Sequence, residues 1–207
     1  MSEKNKILIT GASGLLGKTL VNRFKSGGWL VLAQYFNNRG EDSMNCKWIY
    51  GDFSSKKKVD IFLNSNHSEF IDCCALINCY GPITYKKTRK LNSDDLVSDF
   101  YGNVIVANDI ISYFLRSGNL KHVVNIGFES AGDIRSYKNI LSYAIAKNAL
   151  LLLTESYDKT YKYVTFSMIS PPSLTGGKYK KVNGKSVAPE EIAKEIFEML
   201  RDGGSDV

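Results

Sequence analysis

The stretch KILITGASGLLG, residues 6–17, joins a short apolar run to a glycine-rich loop and then to a helical pattern. The run Lys6–Thr10 predicts a buried β-strand. In the loop that follows, one glycine permits a tight turn, one lets backbone N–H groups approach a pyrophosphate, and one lets the helix pack closely on the strand. Because the loop also opens a helix, whose N-terminus favours negative charge, the stretch predicts a dinucleotide-binding site. Its predicted contacts are Gly11, Ser13, Gly14, Leu15 and Gly17.

Short apolar runs alternate with helical patterns along the rest of the chain. Several of these runs are almost entirely apolar, as expected for strands buried on both faces of a parallel sheet. The predicted strands are Lys6–Thr10, Trp29–Tyr35, Cys46–Tyr50, Ala75–Cys79, His122–Gly127 and Tyr163–Ser170. The predicted helices are Leu15–Ser26, Lys56–Asn64, Asp94–Arg116, Leu141–Lys159 and Pro189–Leu200.

This alternation predicts an α/β fold, because consecutive parallel strands need a crossover helix between them. We expect a single doubly wound parallel sheet of six or seven strands, in the Rossmann-type three-layer α/β/α arrangement. The length of 207 residues suits one domain that spans residues 1–207. A ligand is expected over the carboxyl ends of the strands.

Composition narrows the classes of partner. The chain has a net charge of +6, but its lysines fall in short, separated groups, so we expect no nucleic-acid partner. The sequence has no apolar run long enough to span a bilayer and no signal-peptide pattern at its start, so a soluble, cytoplasmic protein without a membrane partner is expected. The four cysteines and two histidines lack the spacing of metal ligands, so no metal site is expected.

The segment after the second predicted strand bears on the choice of cofactor. NAD-binding folds usually place an acidic residue there, about 20 residues past the glycine loop, to hold the ribose 2′-hydroxyl. Here residues 34–39 read QYFNNR, and the first carboxylate is that of Glu41. Arg39 and the asparagines suit a 2′-phosphate, so NADP(H) is favoured over NAD(H), although an exposed loop arginine explains Arg39 nearly as well. The predicted contacts in this segment are Tyr35, Asn37 and Arg39.

A tyrosine and a lysine four positions apart, Tyr143 and Lys147, stand near the start of the predicted helix at residues 141–159. That spacing places both side chains on one helical face. A free phenol has a pKa of about 10, and a neighbouring ammonium lowers it by favouring the phenolate. The pair is therefore a candidate general acid for a carbonyl oxygen. With 12 tyrosines in the chain, such a pair alone arises easily by chance.

Taken together, these motifs resemble the short-chain dehydrogenase/reductase (SDR) superfamily over nearly the whole chain. The loop at residues 10–17 matches that family's T-G-x-x-G-x-x-G pattern, and residues 142–150 are similar to its active-site helix. The other matches are Gly51-Asp52 after the third strand, Asn78-Cys79-Tyr80-Gly81 after the fourth, Asn103 in the long helix, and Ser130, thirteen positions before Tyr143.

The resemblance implies an NAD(P)(H)-dependent oxidoreductase that transfers hydride between the nicotinamide and a small carbonyl or alcohol substrate. It implies that Tyr143 donates or removes the substrate proton, and that Lys147 holds the nicotinamide ribose and tunes Tyr143. Ser130 would hydrogen-bond the substrate oxygen, and Asn103 would hold a water in the proton path. The further cofactor contacts that it implies are Asp52, Phe53, Asn78, Tyr80, Gly81, Lys147, Pro171 and Thr175.

The chain departs from the family pattern at several places, three of which bear on the site. The run Asn-Cys-Tyr-Gly replaces smaller residues, so Tyr80 is expected to line or crowd the cofactor site. Pro171-Pro172 stands where the family commonly has Pro-Gly. The expected substrate lid, at about residues 176–187, is short and rich in lysine. Such a lid suits an open site or a substrate that bears a phosphate or a carrier protein, although a solvated loop explains the lysines more simply.

Two other functions stay open on the same scaffold. One is an SDR-type enzyme for a sugar-nucleotide or pteridine-like substrate, and the other is a non-catalytic dinucleotide-binding sensor or scaffold. The complete set of Tyr143, Lys147 and Ser130 favours an enzyme. Members of the family usually assemble through their fourth and fifth helices, and the apolar run Ala149–Leu153 supports a homodimer or homotetramer.

Overall fold

Helices and strands alternate along the chain. The fold was obtained as a computed structural model, which describes residues 5–129, 138–177 and 186–202. The strands are β1 (Lys6–Thr10), β2 (Leu30–Tyr35), β3 (Cys46–Tyr50), β4 (Cys73–Asn78), β5 (His122–Ile126), β6 (Thr165–Ile169), β7 (Ser173–Leu174) and β8 (Ser186–Val187). The helices are α1 (Leu15–Ser26), α2 (Lys56–Ser65), α3 (His67–Phe70), α4 (Ser93–Phe100), α5 (Val106–Ser117), α6 (Leu141–Thr160) and α7 (Pro189–Asp202).

Six of the described strands form one parallel sheet in the order β3-β2-β1-β4-β5-β6. The chain builds outward from β1 to β3, returns to place β4 beside β1, and then builds outward to β6. The direction of winding therefore reverses between β1 and β4, which opens a crevice at the carboxyl edge of the sheet. The expected doubly wound α/β sheet is confirmed, with six strands.

Apolar side chains cover both faces of the sheet and make the core. On one face Ile7 packs with Phe24 of α1, and on the other Leu8 packs with Phe114 of α5. Because successive side chains of a strand point to opposite faces, a strand that is apolar throughout must be covered on both sides. This requirement gives the three layers that the apolar runs predicted.

The helix predicted over Asp94–Arg116 is interrupted in the structure. A π-helical turn, Tyr101–Ile105, separates α4 from α5. Gly102 lies against the loop after β4, since a Cβ on it would be 2.4 Å from Cγ of Pro82. Asn103 Nδ2 donates a hydrogen bond of 2.8 Å to the carbonyl oxygen of Pro82. The π turn thus holds Asn103 beside the carboxyl edge of the sheet.

Apart from this interruption, the predicted and observed bounds of the shared elements differ by at most two residues. The short helix α3 and the strands β7 and β8 were not predicted. β7 and β8 form a separate parallel pair, in which Ser173 is opposite Ser186. The two ends of the predicted lid are therefore held side by side.

Candidate active site

The predicted phosphate loop joins β1 to α1 where the winding reverses. Gly11 has a φ of 63°, and a Cβ on it would lie 2.8 Å from the backbone of Tyr80. A Cβ on Gly17 would lie 2.2 Å from the carbonyl oxygen of Gly11. Gly14 is the N-cap of α1, and no described side chain caps that end of the helix. The glycine spacing thus lets α1 pack closely on the loop and leaves its first amides free to bind a phosphate.

Gln34 anchors this loop, and the sequence-based prediction did not include it. The N–H of Gly11 donates to Oε1 of Gln34 at 2.8 Å, and Nε2 of Gln34 donates to the carbonyl oxygen of Gly51 at 2.7 Å. Gln34 is 1% exposed. A polar residue inside the otherwise apolar β2 run was the available signal, because a buried amide needs partners of its own.

A cavity of about 350 Å³ brings the two predicted parts of the site together. Its wall contains Gly11, Gly14 and Leu15 from the phosphate loop and Tyr143 and Lys147 from α6. The loops that follow β4, β5 and β6 supply most of the remaining wall. All of these segments meet at the carboxyl edge of the sheet, where this type of fold binds its ligands.

Tyr143 and Lys147 lie one turn apart on α6. Lys147 Nζ is 5.4 Å from the centre of the Tyr143 ring and donates a 2.7 Å hydrogen bond to the carbonyl oxygen of Ile126. Lys147 is 3% exposed, and burial lowers its pKa to about 8. Lys147 therefore stays an ammonium at neutral pH, but it loses its proton at a lower pH than a free lysine does.

The expected lowering of the Tyr143 pKa by Lys147 is wrong in direction. Burial raises the pKa of Tyr143, and the Cys79 thiol and the Asp99 carboxylate raise it further. The Tyr143 ring packs on Phe128, with ring centres 5.8 Å apart, and such apolar surroundings disfavour a phenolate. The spacing of four residues identified Lys147 as a neighbouring cation, but it did not show that the Tyr143 ring is buried against Phe128. Tyr143 is consequently a phenol at neutral pH, the form that can donate a proton.

Asn103 lies directly behind Gly81. A Cβ on Gly81 would be 2.3 Å from Oδ1 of Asn103 and 3.1 Å from Nζ of Lys147, so only glycine fits between them. Asn103 is 1% exposed, and its Oδ1 has no hydrogen-bond partner among the described residues. Such a buried acceptor is usually satisfied by water or a ligand. The structure thus brings Asn103 and Gly81 to Lys147.

Ser130 and most of the lid fall in residues 130–137 and 178–185, which lie outside the described residues. The role of Ser130 stays a prediction. Of the two predicted contacts after β6, Pro171 lies in the wall of the 350 Å³ cavity. Thr175 is exposed, and both its N–H and its hydroxyl group are bonded to the segment at β8. The structure therefore does not bring Thr175 into that cavity.

A second cavity, of about 300 Å³, lies on the other side of the phosphate loop. Four predicted cofactor contacts line it, namely Ser13, Tyr35, Asn37 and Tyr80. Arg39 does not line it, because its guanidinium is paired with the carboxylate of Asp42. None of the described residues that line the cavity is acidic.

Asp52 and Phe53 follow β3, where the resemblance implied contacts with the cofactor. Phe53 lines a third cavity, of about 410 Å³, and its ring centre is 5.2 Å from that of Tyr80. Asp52 instead accepts hydrogen bonds from Lys58 Nζ at 2.7 Å and from the N–H of Ser54 at 2.8 Å. Burial opposes ionisation of Asp52, but these bonds hold its pKa below the ordinary value.

Asn78 lies inside the sheet, although it was expected to contact the cofactor. It is 3% exposed, and its Nδ2 donates to Oδ1 of Asn125 at 2.8 Å. Asn125 Nδ2 in turn donates to Oγ1 of Thr154 on α6, also at 2.8 Å. Asn78 is buried because β4 still pairs with both of its neighbouring strands at this position. Asn78 therefore ties the sheet to α6.

Cys79 and Asp99 belong to the site without having been predicted. Cys79 lies in the walls of both the 350 and the 300 Å³ cavity, and burial raises its pKa to about 12. Asp99 is fully buried and accepts a 2.5 Å hydrogen bond from the hydroxyl group of Ser142, the neighbour of Tyr143. Asp99 is one of three aspartates in residues 94–99, and periodicity does not distinguish them.

Metal ligands and membrane helices were also sought within the described ranges. There, no group of three or more His, Cys, Asp or Glu side chains is placed to hold a metal ion. The helices of the same ranges are all too short or too polar to cross a bilayer.

The cavities fit a dinucleotide. The 350 and 300 Å³ cavities share Gly11, Gly14, Cys79 and Gly81, so they meet at the phosphate loop. A dinucleotide has two nucleoside ends joined by a pyrophosphate, which matches two cavities on either side of a loop with free helix amides. Added side chains would clash with backbone at Gly11 and with Asn103 at Gly81. The fold and this loop define a Rossmann-type dinucleotide-binding protein.

The chain belongs to the NAD dependent epimerase/dehydratase family, which residues 7–195 match. Solved structures of short-chain dehydrogenases share the fold. One, from Leptospira borgpetersenii serovar Hardjo-bovis with bound NAD+, is 20% identical with a TM-score of 0.80, over 94% of this chain and 85% of that one. A 4-hydroxyisoleucine dehydrogenase complexed with NADH is 18% identical with a TM-score of 0.83, over 99% and 93%.

The landomycin C-6 ketoreductase LanV, with bound NADP and rabelomycin, is similar as well. It is 15% identical, with a TM-score of 0.80, over 93% of this chain and 87% of that one. The family match confirms the expected NAD-dependent enzyme family, and these structures confirm the expected fold.

Proposed function

We propose that the protein is an NAD(P)(H)-dependent oxidoreductase that interconverts a carbonyl and an alcohol, with Tyr143 as general acid and base. One observation carries the proposal: Tyr143 and Lys147 share the wall of a single cavity with Gly11 and Gly14 of the phosphate loop. A proton donor and a dinucleotide loop are the two parts that carbonyl reduction requires.

The cofactor and the side chains of the site have separate tasks in the proposed reaction. The nicotinamide, when bound, supplies or accepts the hydride. Tyr143, a phenol at neutral pH, gives its proton to the substrate oxygen, and Ser130 would donate a second hydrogen bond to that oxygen. Lys147 has hydrogens left beyond its bond to Ile126 and would hold the hydroxyls of the nicotinamide ribose. Asn103 offers an unpaired acceptor behind Lys147 for a water in the proton path.

The cavity favours a small apolar ketone, aldehyde or alcohol. Ile83, Phe128, Ile140 and Leu174 contribute apolar side chains to its wall, opposite few polar groups. A phosphate-bearing or carrier-bearing substrate would rest on Lys178, Lys180 and Lys181 of the lid, which lie outside the described residues.

Tyr143→Phe tests the reaction. With a panel of apolar ketones and aldehydes, the wild type is expected to consume NADPH, and Tyr143→Phe is expected to lose at least 99% of that rate while binding NADPH equally well, since removing a general acid costs about 100-fold or more. Tyr163→Phe is the matched control, because Tyr163 is 88% exposed. A Tyr143→Phe variant that keeps its turnover would refute the role, and turnover in neither protein would favour the non-catalytic sensor or scaffold.

NADP(H) is proposed as the favoured cofactor. The support is the wall of the 300 Å³ cavity, whose described residues include Asn37 and Asn38 but no carboxylate. A 2′-phosphate would meet no like charge there, whereas a 2′-hydroxyl would lack its usual acidic partner. Fluorescence titration with NADPH and NADH tests this: a lower dissociation constant for NADPH is expected, and a preference for NADH would contradict it.

The family's description also favours a second function, epimerisation or dehydration of a substrate such as a sugar nucleotide. In those reactions hydride leaves the substrate and returns to it, so the cofactor shows no net change. The two functions therefore separate by stoichiometry. The reductase converts NADPH and ketone in equal amounts, whereas an epimerase or dehydratase converts substrate without net loss of NADPH.

A homodimer or homotetramer through α4 and α6 completes the proposal. Both helices expose large apolar side chains, namely Val97 (66% exposed), Phe100 (40%), Ile145 (46%) and Leu152 (66%). Apolar side chains exposed together on two packed helices are typical of an interface. A cytoplasmic location remains a prediction from the sequence.

A further inference from the structure

Asp99 is a carboxylate with 0% exposure next to the proposed proton donor. Its oxygens accept hydrogen bonds from the N–H of Thr84 at 3.1 and 3.2 Å, from the hydroxyl group of Thr84 at 3.0 Å, and from the hydroxyl group of Ser142 at 2.5 Å. Within the described residues it has no ion pair with a lysine, arginine or histidine. No part of the function proposed above uses this group.

The partners of Asp99 fit an ionised carboxylate. A carboxylate only accepts hydrogen bonds, and the three groups around it all donate. Bonds from a hydroxyl group to a charged oxygen measure about 2.5–2.7 Å, and the bond from Ser142 lies in that range. Burying a charge is costly unless hydrogen bonds replace the lost water, and these three donors do so.

The bonds of Asp99 also join the segments that carry the site. Thr84 belongs to the loop that follows β4. The main-chain carbonyl oxygen of Asp99 accepts a 2.8 Å hydrogen bond from Nδ2 of Asn103. Ser142 directly precedes Tyr143 in the first turn of α6. One side chain therefore links the loop after β4 and α4 to the helix that carries the proton donor.

We infer, resting on the function proposed above, that Asp99 is a positioning residue that holds the first turn of α6 in place and sets a fixed negative charge behind Tyr143, so that Tyr143 is kept as the phenol that carbonyl reduction uses. Reduction needs the phenol, whereas alcohol oxidation needs the phenolate as base. A buried negative charge disfavours the phenolate. The alkoxide made by hydride addition is a stronger base than any phenolate, so proton donation stays favourable.

Four titratable groups bear on this charge balance at Tyr143. Cys79, which directly follows β4, has a pKa of about 12, so its thiol is neutral at neutral pH. Tyr85 lies in the wall of the same cavity as Tyr143. Lys147, on α6, is the opposing cation. Asp99, on α4, is the acid among these groups whose hydrogen-bond partners all donate, as they would to a carboxylate.

The experiment compares pH profiles of alcohol oxidation and of ketone reduction in the holoenzyme. Asp99→Asn removes the charge and keeps the shape, and Ser142→Ala removes one hydrogen bond and keeps the charge. Asp99→Asn is expected to lower the pH of half-maximal oxidation by about one unit, which raises the rate of alcohol oxidation at neutral pH about tenfold. Ser142→Ala is expected to lower kcat without moving that midpoint. Asp99→Ser replaces Asp99→Asn if the latter does not fold.

A second measurement needs neither substrate nor cofactor. The tyrosinate absorbance of each protein is titrated with and without the additional change Tyr143→Phe, and the difference reports the ionisation of Tyr143 alone. Its midpoint is expected to fall in Asp99→Asn and to stay in Ser142→Ala. An unmoved midpoint in both measurements overturns the inference, and so does failure of both neutral variants to fold, because the carboxylate would then serve the fold alone. Activity that survives Tyr143→Phe would instead overturn the proposed function.

Discussion

Gly17 is the position where the fold and the site depend on the same contact. In the variant Gly17→Ala, the new Cβ would lie 2.2 Å from the carbonyl oxygen of Gly11 and 2.7 and 2.9 Å from backbone atoms of Ala12. Ordinary contact begins near 3.4 Å, so α1 would have to move away from the loop by about 1 Å. Because every clashing atom is backbone, no rotamer change relieves the overlap.

The loss of stability follows from two opposing effects. Overpacking a close-packed site costs about 1–3 kcal/mol, and backbone clashes place this site near the upper end. Alanine is a better helix former than glycine by about 1 kcal/mol. The net loss is about 2 kcal/mol, which lowers the melting temperature of a domain of this size by roughly 4–8 °C. Affinity for NADPH should fall as well, since the first amides of α1 move with the helix.

Thermal and urea unfolding, together with fluorescence titration with NADPH, measure both effects. Gly14→Ala is the matched control in the same loop, since its Cβ would have a single close contact, at 3.2 Å from the carbonyl oxygen of Gly11. It is expected to lose clearly less stability. A Gly17→Ala protein with the stability and NADPH affinity of the wild type would refute the argument from close packing.

Three further perturbations test separate parts of the account. Asn37→Asp puts a carboxylate into the wall of the 300 Å³ cavity, so titration should show the ratio of NADPH to NADH affinity falling about tenfold, because like charges repel; an unchanged ratio would remove Asn37 from the cofactor site. Lys147 is less basic when folded, with a pKa of about 8, than when unfolded, so raising the pH from about 8 to 10.5 should stabilise the wild type relative to Lys147→Met by roughly 2–3 kcal/mol in urea unfolding. A flat difference over that range would contradict the burial of the ammonium. Val97→Lys and Ile145→Lys place charges in the proposed interface, so sedimentation should show monomers in place of the wild-type oligomer; a monomeric wild type would contradict the interface.

Local features made most of the fold predictable from the sequence. The strand, glycine loop and helix at residues 6–26 are recognisable in the sequence, because Gly14 and Gly17 meet constraints that lie within the same few residues. The apolar runs identify strands covered on both faces, and their alternation with helices restricts the topology to few choices. The π turn at Tyr101–Ile105 was not predictable from local sequence, because it packs on Pro82, which belongs to another segment.

The site was predictable as a set of residues but not as an environment. Spacing correctly placed Tyr143 and Lys147 on one face of α6. It could not show that burial, followed by Cys79 and Asp99, raises the pKa of Tyr143. Asp99 comes within reach of Ser142 only through tertiary packing, which no local pattern in the sequence encodes.

The partners that polar side chains choose were not predictable from the sequence either. The sequence left Arg39 open between a 2′-phosphate contact and an exposed loop arginine, and the structure pairs it with Asp42, three residues further on. Asn78 was expected to contact the cofactor; its Nδ2 is bonded to Asn125 within the sheet, whereas its buried Oδ1 has no partner among the described residues. A polar residue near a site has several possible partners, and the sequence does not rank them.

Transfer of deuterium from labelled NADPH tests the central claim most directly. Each protein is incubated with NADPH deuterated at both transferable positions of the nicotinamide and with the ketone that the wild type reduces fastest. The mass of the alcohol product is then measured by mass spectrometry. The wild type is expected to form an alcohol carrying one deuterium on the former carbonyl carbon, and Tyr143→Phe to form almost none while still binding NADPH. An alcohol without deuterium, or equal labelling by Tyr143→Phe, would contradict the account.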